Sequence, residues 1–357
     1  MKTPAWICMT CICAGLFDAM DSYLYGNWAP DNCFDVFDRD DHFDSYADVG
    51  FRATYQGWGF EVHIDTSNDR FAEFVDDIPK ITDAFRLFFT SQDGDIQLKF
   101  DTAERPHFVL KVLELFGPYK ERVQVIYMRG FGTDLIDDSV AVLKALEAFD
   151  KLTSLHMNVN SLPWRVVDLR AKHNAADLKA LDQSLAQLIK KMVTRELFWV
   201  ILPQFAGQES LDAVLDGVKI SVIDLSKIDG DLSWKKLANV KDVTAISLPK
   251  VNDPQSVLSI LAETKINELV VSGISDADLE LISQNKKIVK LSIRSSLEVS
   301  LQGLGSLIQL QNLNELTLFG DSYQPEELPL IEEWAESMMY RYKLKHGREL
   351  KVRILLP

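Results

Sequence analysis

The stretch VTAISLPKVNDPQSVLSILAETKINELVVSGISDADLELISQNKKIVKLSI, residues 243–293, carries one apolar triplet three times. The triplets are Val243, Ile246, Leu248; Ile266, Leu269, Val271; and Ile288, Leu291, Ile293. Their spacing, L-x-x-L-x-L, suits a short strand that points alternate side chains into a core and gathers one more from the turn before it. The middle residues lie 23 and then 22 positions apart, and LNELTL adds Leu313, Leu316 and Leu318 after a step of 25. Between triplets run PQSVLSILAE, SDADLELISQN and SLQGLGSLIQL, each with helical spacing. Asp253-Pro254 and Ser275-x-x-Asp278 are helix starts, the second with the form of a capping box. Each unit therefore reads strand, turn, helix, turn, and stacked units make a parallel sheet with helices outside.

Working toward the N-terminus, the triplet recurs in VQVIYM (Val123, Ile126, Met128), KLTSLHM (Leu152, Leu155, Met157), RELFWVIL (Leu197, Val200, Leu202) and LDGVKI (Leu215, Val218, Ile220). In LTSLHMNVNSL, residues 152–162, Asn160 also occupies the turn position of the fuller L-x-x-L-x-L-x-x-N-x-L template. Other units have Val251 or Ile274 there. The steps of 29 and 45 imply insertions, and ADLKALDQSLAQLIKKM places a helix in the longer one. The step of 18 between Val200 and Val218 is too short for the pattern, so the register between 195 and 225 stays open.

From about residue 121 onward the chain resembles a leucine-rich-repeat protein, most clearly over 240–320. That resemblance implies an α/β solenoid with a parallel sheet on its concave face, irregular because the turn asparagines are mostly missing. It also implies a protein-interaction role, and says nearly nothing about activity.

Residues 21–120 read as an acidic stretch followed by a mixed α+β cap region. GFEVHID and DIQLKFD alternate as strands, with Phe60, Val62, Ile64 and Ile96, Leu98, Phe100 on one side each. Phe71, Phe74, Val75 and Ile78 have helical spacing that Pro79 should end. A second helical pattern from Phe108 to Phe116 closes at Gly117-Pro118. At the other end, LPLIEEWAESMMYRYKLK (328–345) is helical and ELKVRILL returns as a strand, a longer last unit suited to capping a stack.

The 357 residues are 47% hydrophobic and 25% charged, as in a folded globular chain, with a net charge of −15. Phosphate backbones are repelled by that balance, and no basic patch offsets it, so nucleic acid is not an expected partner. Residues 1–50 hold nine Asp against Lys2 and Arg39. Asp38, Asp40, His42 and Asp44 alternate like calcium-loop ligands, but the loop has no Gly at its sixth position and ends on Val49 rather than Glu. The interleaved Phe34, Phe37, Phe43 and Tyr46 fit an amphipathic segment better.

Cys8, Cys11, Cys13 and Cys33 are the only cysteines, so no disulfide framework holds the body, which favours a reducing, cytoplasmic setting. Residues 1–20 form an apolar segment too short to span a bilayer. It reads either as a structural cap or as a secretory signal cut after Gly15, which would make the chain secreted. The cysteine triplet lacks the paired second half of a zinc site.

No P-loop, G-x-S-x-G, H-E-x-x-H or G-x-G-x-x-G occurs, and the six histidines lack metal-ligand spacing. No catalytic residues, metal or cofactor are implied. The expectation is a non-enzymatic module that binds a polypeptide on its concave sheet face. The residues between the inward-pointing ones face that side, and aromatics, Arg and their neighbours are the usual anchors. The candidates are Tyr127, Arg129, His156, Trp199, Lys290, Arg294 and Phe319. One alternative is a two-part adaptor, as in ubiquitin-ligase substrate receptors, whose N-terminal region recruits a second partner. Another is a hydrolase or metal-dependent enzyme that uses the acidic N-terminal region, with Asp38, Asp40 and His42 lining its pocket.

Overall fold

The computed structural model describes residues 46–55, 59–90, 93–132, 135–157, 173–193, 197–216, 220–228, 232–240, 242–294, 299–319 and 328–355. The expectations placed on the cysteines, on Asp38, Asp40 and His42, and on Asn160 lie outside those residues. The chain divides into two compact units, with the boundary of the main segments at Ile220/Ser221.

Among the described residues the first unit holds strands β1 (Phe51–Tyr55), β2 (Gly59–Asp65), β3 (Asp95–Thr102), β4 (Val123–Met128), β5 (Ser154–Met157) and β6 (Leu197–Ile201). Its helices are α1 (Phe71–Thr90), α2 (Pro106–Phe116), α3 (Ile136–Leu146), α4 (Ala175–Val193) and α5 (Gln208–Leu215). Strand order follows the chain, β1 to β6. Only β1–β2 is antiparallel; β2 through β6 pair in parallel. The parallel ladder thus reaches back into the segment expected to be a mixed cap. A helix follows each of β2, β3 and β4, as parallel neighbours require.

The second unit holds β7 (Ile220–Asp224), β8 (Ala245–Ser247), β9 (Glu268–Ser272), β10 (Lys290–Arg294), β11 (Glu315–Phe319) and β12 (Lys351–Leu355). They alternate with a 3-10 turn at Lys235–Asn239 and with helices α6 (Pro254–Ala262), α7 (Asp276–Ser283), α8 (Leu301–Ser306) and α9 (Leu328–His346). Order again follows the chain, and every observed pair is parallel.

Register makes the repeat explicit. Val62, Leu98, Ile126, Leu155 and Val200 face one another rung by rung, as do Ile223, Ile246, Leu269, Leu291, Leu316 and Val352. All but Val352 are buried. One sequence triplet is corrected here. Leu215 ends α5 rather than opening a rung, and the strand is Ile220–Asp224, whose ladder residue is Ile223. The triplet is therefore Ile220, Ile223, Leu225, and the irregular step of 18 becomes 23, followed by another 23. Leu215 imitated a rung because it is an inward residue of a helix, fully buried in its own right.

The expected helix stop at Pro79 is also corrected: α1 continues through it to Thr90. A proline inside a helix costs about 3 kcal/mol. Against that, the residues beyond it bury Ile81, Phe85 and Phe89, and Phe85 and Phe89 pack ring to ring at 4.5 Å. Burying side chains of that size stabilises by about 1.5–3 kcal/mol each, so the longer helix wins.

The helix starts of the second unit follow the expectation. Asp253 accepts a hydrogen bond from the Ser256 backbone N–H at 3.1 Å, with Pro254 in the first turn. Ser275 and Asp278 form the capping box, the Ser275 backbone N–H donating to Asp278 Oδ2 at 2.9 Å. Asp276 in turn accepts from the Ser300 N–H at 2.8 Å, tying the start of α8 to that of α7. At the far end, the Tyr342 hydroxyl on α9 donates to Leu310 O at 2.6 Å.

Candidate functional site

The same register that aligns the buried ladder aligns the residues on the opposite strand face. In the first unit Lys99, Tyr127, His156 and Ile201 occupy successive rungs, with Val125, Ser154 and Trp199 in the neighbouring row. Three of the sequence candidates come together here. The Tyr127 and His156 rings lie 4.2 Å apart, and His156 meets Trp199 edge to face at 4.5 Å. Burial pushes the His156 imidazole down to about 3, because a charged ring there would lose its water. His156 is thus a neutral plate between two aromatics at ordinary pH. Arg129 follows directly after β4, and its backbone N–H donates to Phe100 O at 3.0 Å.

In the second unit the remaining three candidates fall in adjacent rungs. Lys290 sits between Glu268 and Glu315 in register and pairs with Glu268 at 3.3 Å. Lys351 follows Glu315 in register, so the row alternates in charge, and Arg353, in register with Thr317, pairs with Glu315 at 2.9 Å. Burial raises the Glu268 carboxyl, with Lys290 pulling it back down. On the other flank the Arg294 guanidinium lies over the Phe319 ring at 4.7 Å, within cation–π range. Between these rows run Ser247, Val270, Ser292 and Thr317, one per strand. The Ser247, Ser292 and Thr317 hydroxyls are buried and have no hydrogen-bond partner among the described residues.

The sequence placed these residues on a solvated face. Instead Ser154, His156, Trp199, Ser247, Ser292, Arg294, Thr317 and Phe319 are all buried.

One cluster on this face was missed. His63 on β2 approaches Asp101 Oδ2 through Nδ1 at 3.1 Å and Glu61 Oε1 through Nε2 at 3.2 Å, while Lys99 also pairs with Glu61. Burial lowers the Lys99 ammonium, and Asp101 opposes that shift. The alternation of GFEVHID and DIQLKFD showed that these residues share a side; only the register shows that His63 and Lys99 are directly opposite. Two anions and two basic groups pin β2 to β3. Among the described residues no group of three His, Cys, Asp or Glu side chains is placed to hold a metal ion. Nor is any described helix long and apolar enough to cross a membrane.

No protein-family model and no curated protein matches the chain. The class rests on the architecture: an α/β repeat protein whose strands, mostly parallel, alternate with helices in chain order.

Proposed function

We propose that the chain is a non-enzymatic protein-interaction module of the leucine-rich-repeat kind, and that a polypeptide partner lies across the strand face opposite the buried ladder, concave in the stacked form. The observation that supports this reading most is the half-buried charged row of Glu268, Lys290 and Glu315, whose side chains still reach solvent. A peptide laid along that row meets alternating charges from the Lys290–Glu268 and Arg353–Glu315 pairs. In the first unit the Tyr127, His156 and Trp199 stack offers a contact of the aromatic kind that dominates interfaces.

A second reading is the two-part adaptor, in which residues 21–120 recruit one partner and the repeats select another; the charged cluster of Glu61, His63, Lys99 and Asp101 on β2 and β3 supports it.

The test is a pull-down from native extract with wild type and a Tyr127→Ala, Trp199→Ala, Arg294→Ala variant, both shown to be folded by circular dichroism and melting. A partner captured by wild type and lost from the folded variant supports the first reading. Two partners, one lost from the triple variant and the other lost with Lys99→Ala, support the adaptor. Equal recovery by all proteins overturns both.

A further inference from the structure

Helix α9 is apolar on two sides, and only one of them is used. Ile331, Ala335, Met338 and Tyr342 are buried. Away from them Leu330 is 56%, Tyr340 66% and Leu344 68% exposed.

The exposed side has a symmetry that identifies what covers it. At about 100° per residue, Leu330, Ser337 and Leu344 fall on one line along the helix. Half-buried Trp334 and exposed Arg341 lie on one flank of that line, exposed Glu333 and Tyr340 on the other. Turned end for end about Ser337, the pattern meets its own complement. Leu330 of one copy faces Leu344 of the other, Trp334 faces Arg341, and Glu333 faces the Tyr340 hydroxyl. The residue at the axis is a serine, small enough to let the two helices approach. Glu333 and Arg341 enter no ion pair among the described residues. An isologous two-fold contact requires that each surface complement itself, and few helix faces do.

We propose that α9 is a homodimer interface, an antiparallel pairing of two copies of this chain about Ser337. It carries two leucine layers, a cation–π contact on one flank and a carboxylate–phenol hydrogen bond on the other.

The experiment is sedimentation velocity on the full chain across a concentration series. Wild type is expected to pass from monomer to dimer. Leu330→Glu and Leu344→Lys, each placing a charge against leucine, are expected to raise the dimer dissociation constant about thirtyfold or more, the scale of a central contact. Both positions are exposed, so circular dichroism, and the melting temperature measured at concentrations where wild type is monomeric, stay at wild-type values. The double variant restores an opposite-charge pair at both leucine layers and is expected to recover part of the association. A chain that stays monomeric throughout, or a dimer indifferent to both single variants, overturns the proposal. Loss in the single variants without recovery in the double one overturns the antiparallel pairing.

Discussion

In the first unit Phe51, Phe60, Phe71, Phe74, Phe85, Phe89, Phe100 and Phe116 are all buried, most of them ring against ring. In the second unit the inner ladder is leucine, isoleucine and valine, and among the described residues no buried phenylalanine faces it. The spacing of the rungs differs in the same sense. Ladder residues Val62, Leu98, Ile126, Leu155 and Val200 follow one another at unequal steps, whereas Ile223, Ile246, Leu269, Leu291 and Leu316 stay within 22 to 25. Between Ile223 and Leu316 the intervening helices are short, 6 to 9 residues, and aliphatic side chains fill the gap at each rung. Helices that range from 8 to 20 residues leave unequal gaps, which large rings fill at several angles.

This contrast can be broken by mutation. Phe89→Ala removes the ring that touches Phe60, Phe85, Phe88, Phe116 and Tyr119, and is expected to cost about 3–5 kcal/mol in the first unit's unfolding free energy by urea titration. Leu291→Ala in the middle of the regular ladder is expected to cost about 2–4 kcal/mol, and proteolysis should locate that loss in the second unit.

Acid sharpens the contrast further. The His156 imidazole is held at about 3 when folded, against an ordinary value of 6.5. Below 6.5 the unfolded chain binds a proton that the folded one does not, so stability falls as pH drops from about 6.5 toward 3, by about 1.4 kcal/mol per pH unit. At pH 5 the loss is about 2 kcal/mol, and His156→Phe should flatten that part of the pH–stability curve. A slope unchanged by His156→Phe would place the acid sensitivity elsewhere. Smaller still, Tyr342→Phe removes one buried hydrogen bond to Leu310 O and is expected to lower stability by about 1 kcal/mol. Ser292→Ala stands at the bottom of the scale: the buried hydroxyl has no partner to lose, so stability should stay level or rise slightly in the same titration.

Much of this fold is legible in the sequence because a parallel strand buried on its inner side repeats a simple rule. The strands GFEVHID, INELVV and IVKLSI, the capping box at Ser275 and the last helix from Leu328 all follow from local pattern. What local pattern missed was decided at a distance. LDGVKI and ISVIDL both satisfy the triplet, and only pairing of Ile223 with Ile246 separates them. Pro79 reads as a stop because the ring contacts that carry α1 past it come from other elements, such as Phe116 and Tyr119. For the candidate site, period-2 alternation identified which residues share a side. Nothing in the alternation says that Tyr127, His156 and Trp199 touch, or that the row around Ser292 is closed to water.

Each strand of the second unit lies beside its neighbours in the chain, with Leu269, Leu291 and Leu316 in consecutive rungs. In such an order, length is a free variable. Excising one span from a ladder residue to the next, Leu269 to Leu291 for instance, brings together two edges that already match in register, side chain and cap. Duplicating that span does the same. A gene of this kind can grow or shrink by whole rungs without inventing a new packing, and a family built this way will keep its cross-section while its length drifts.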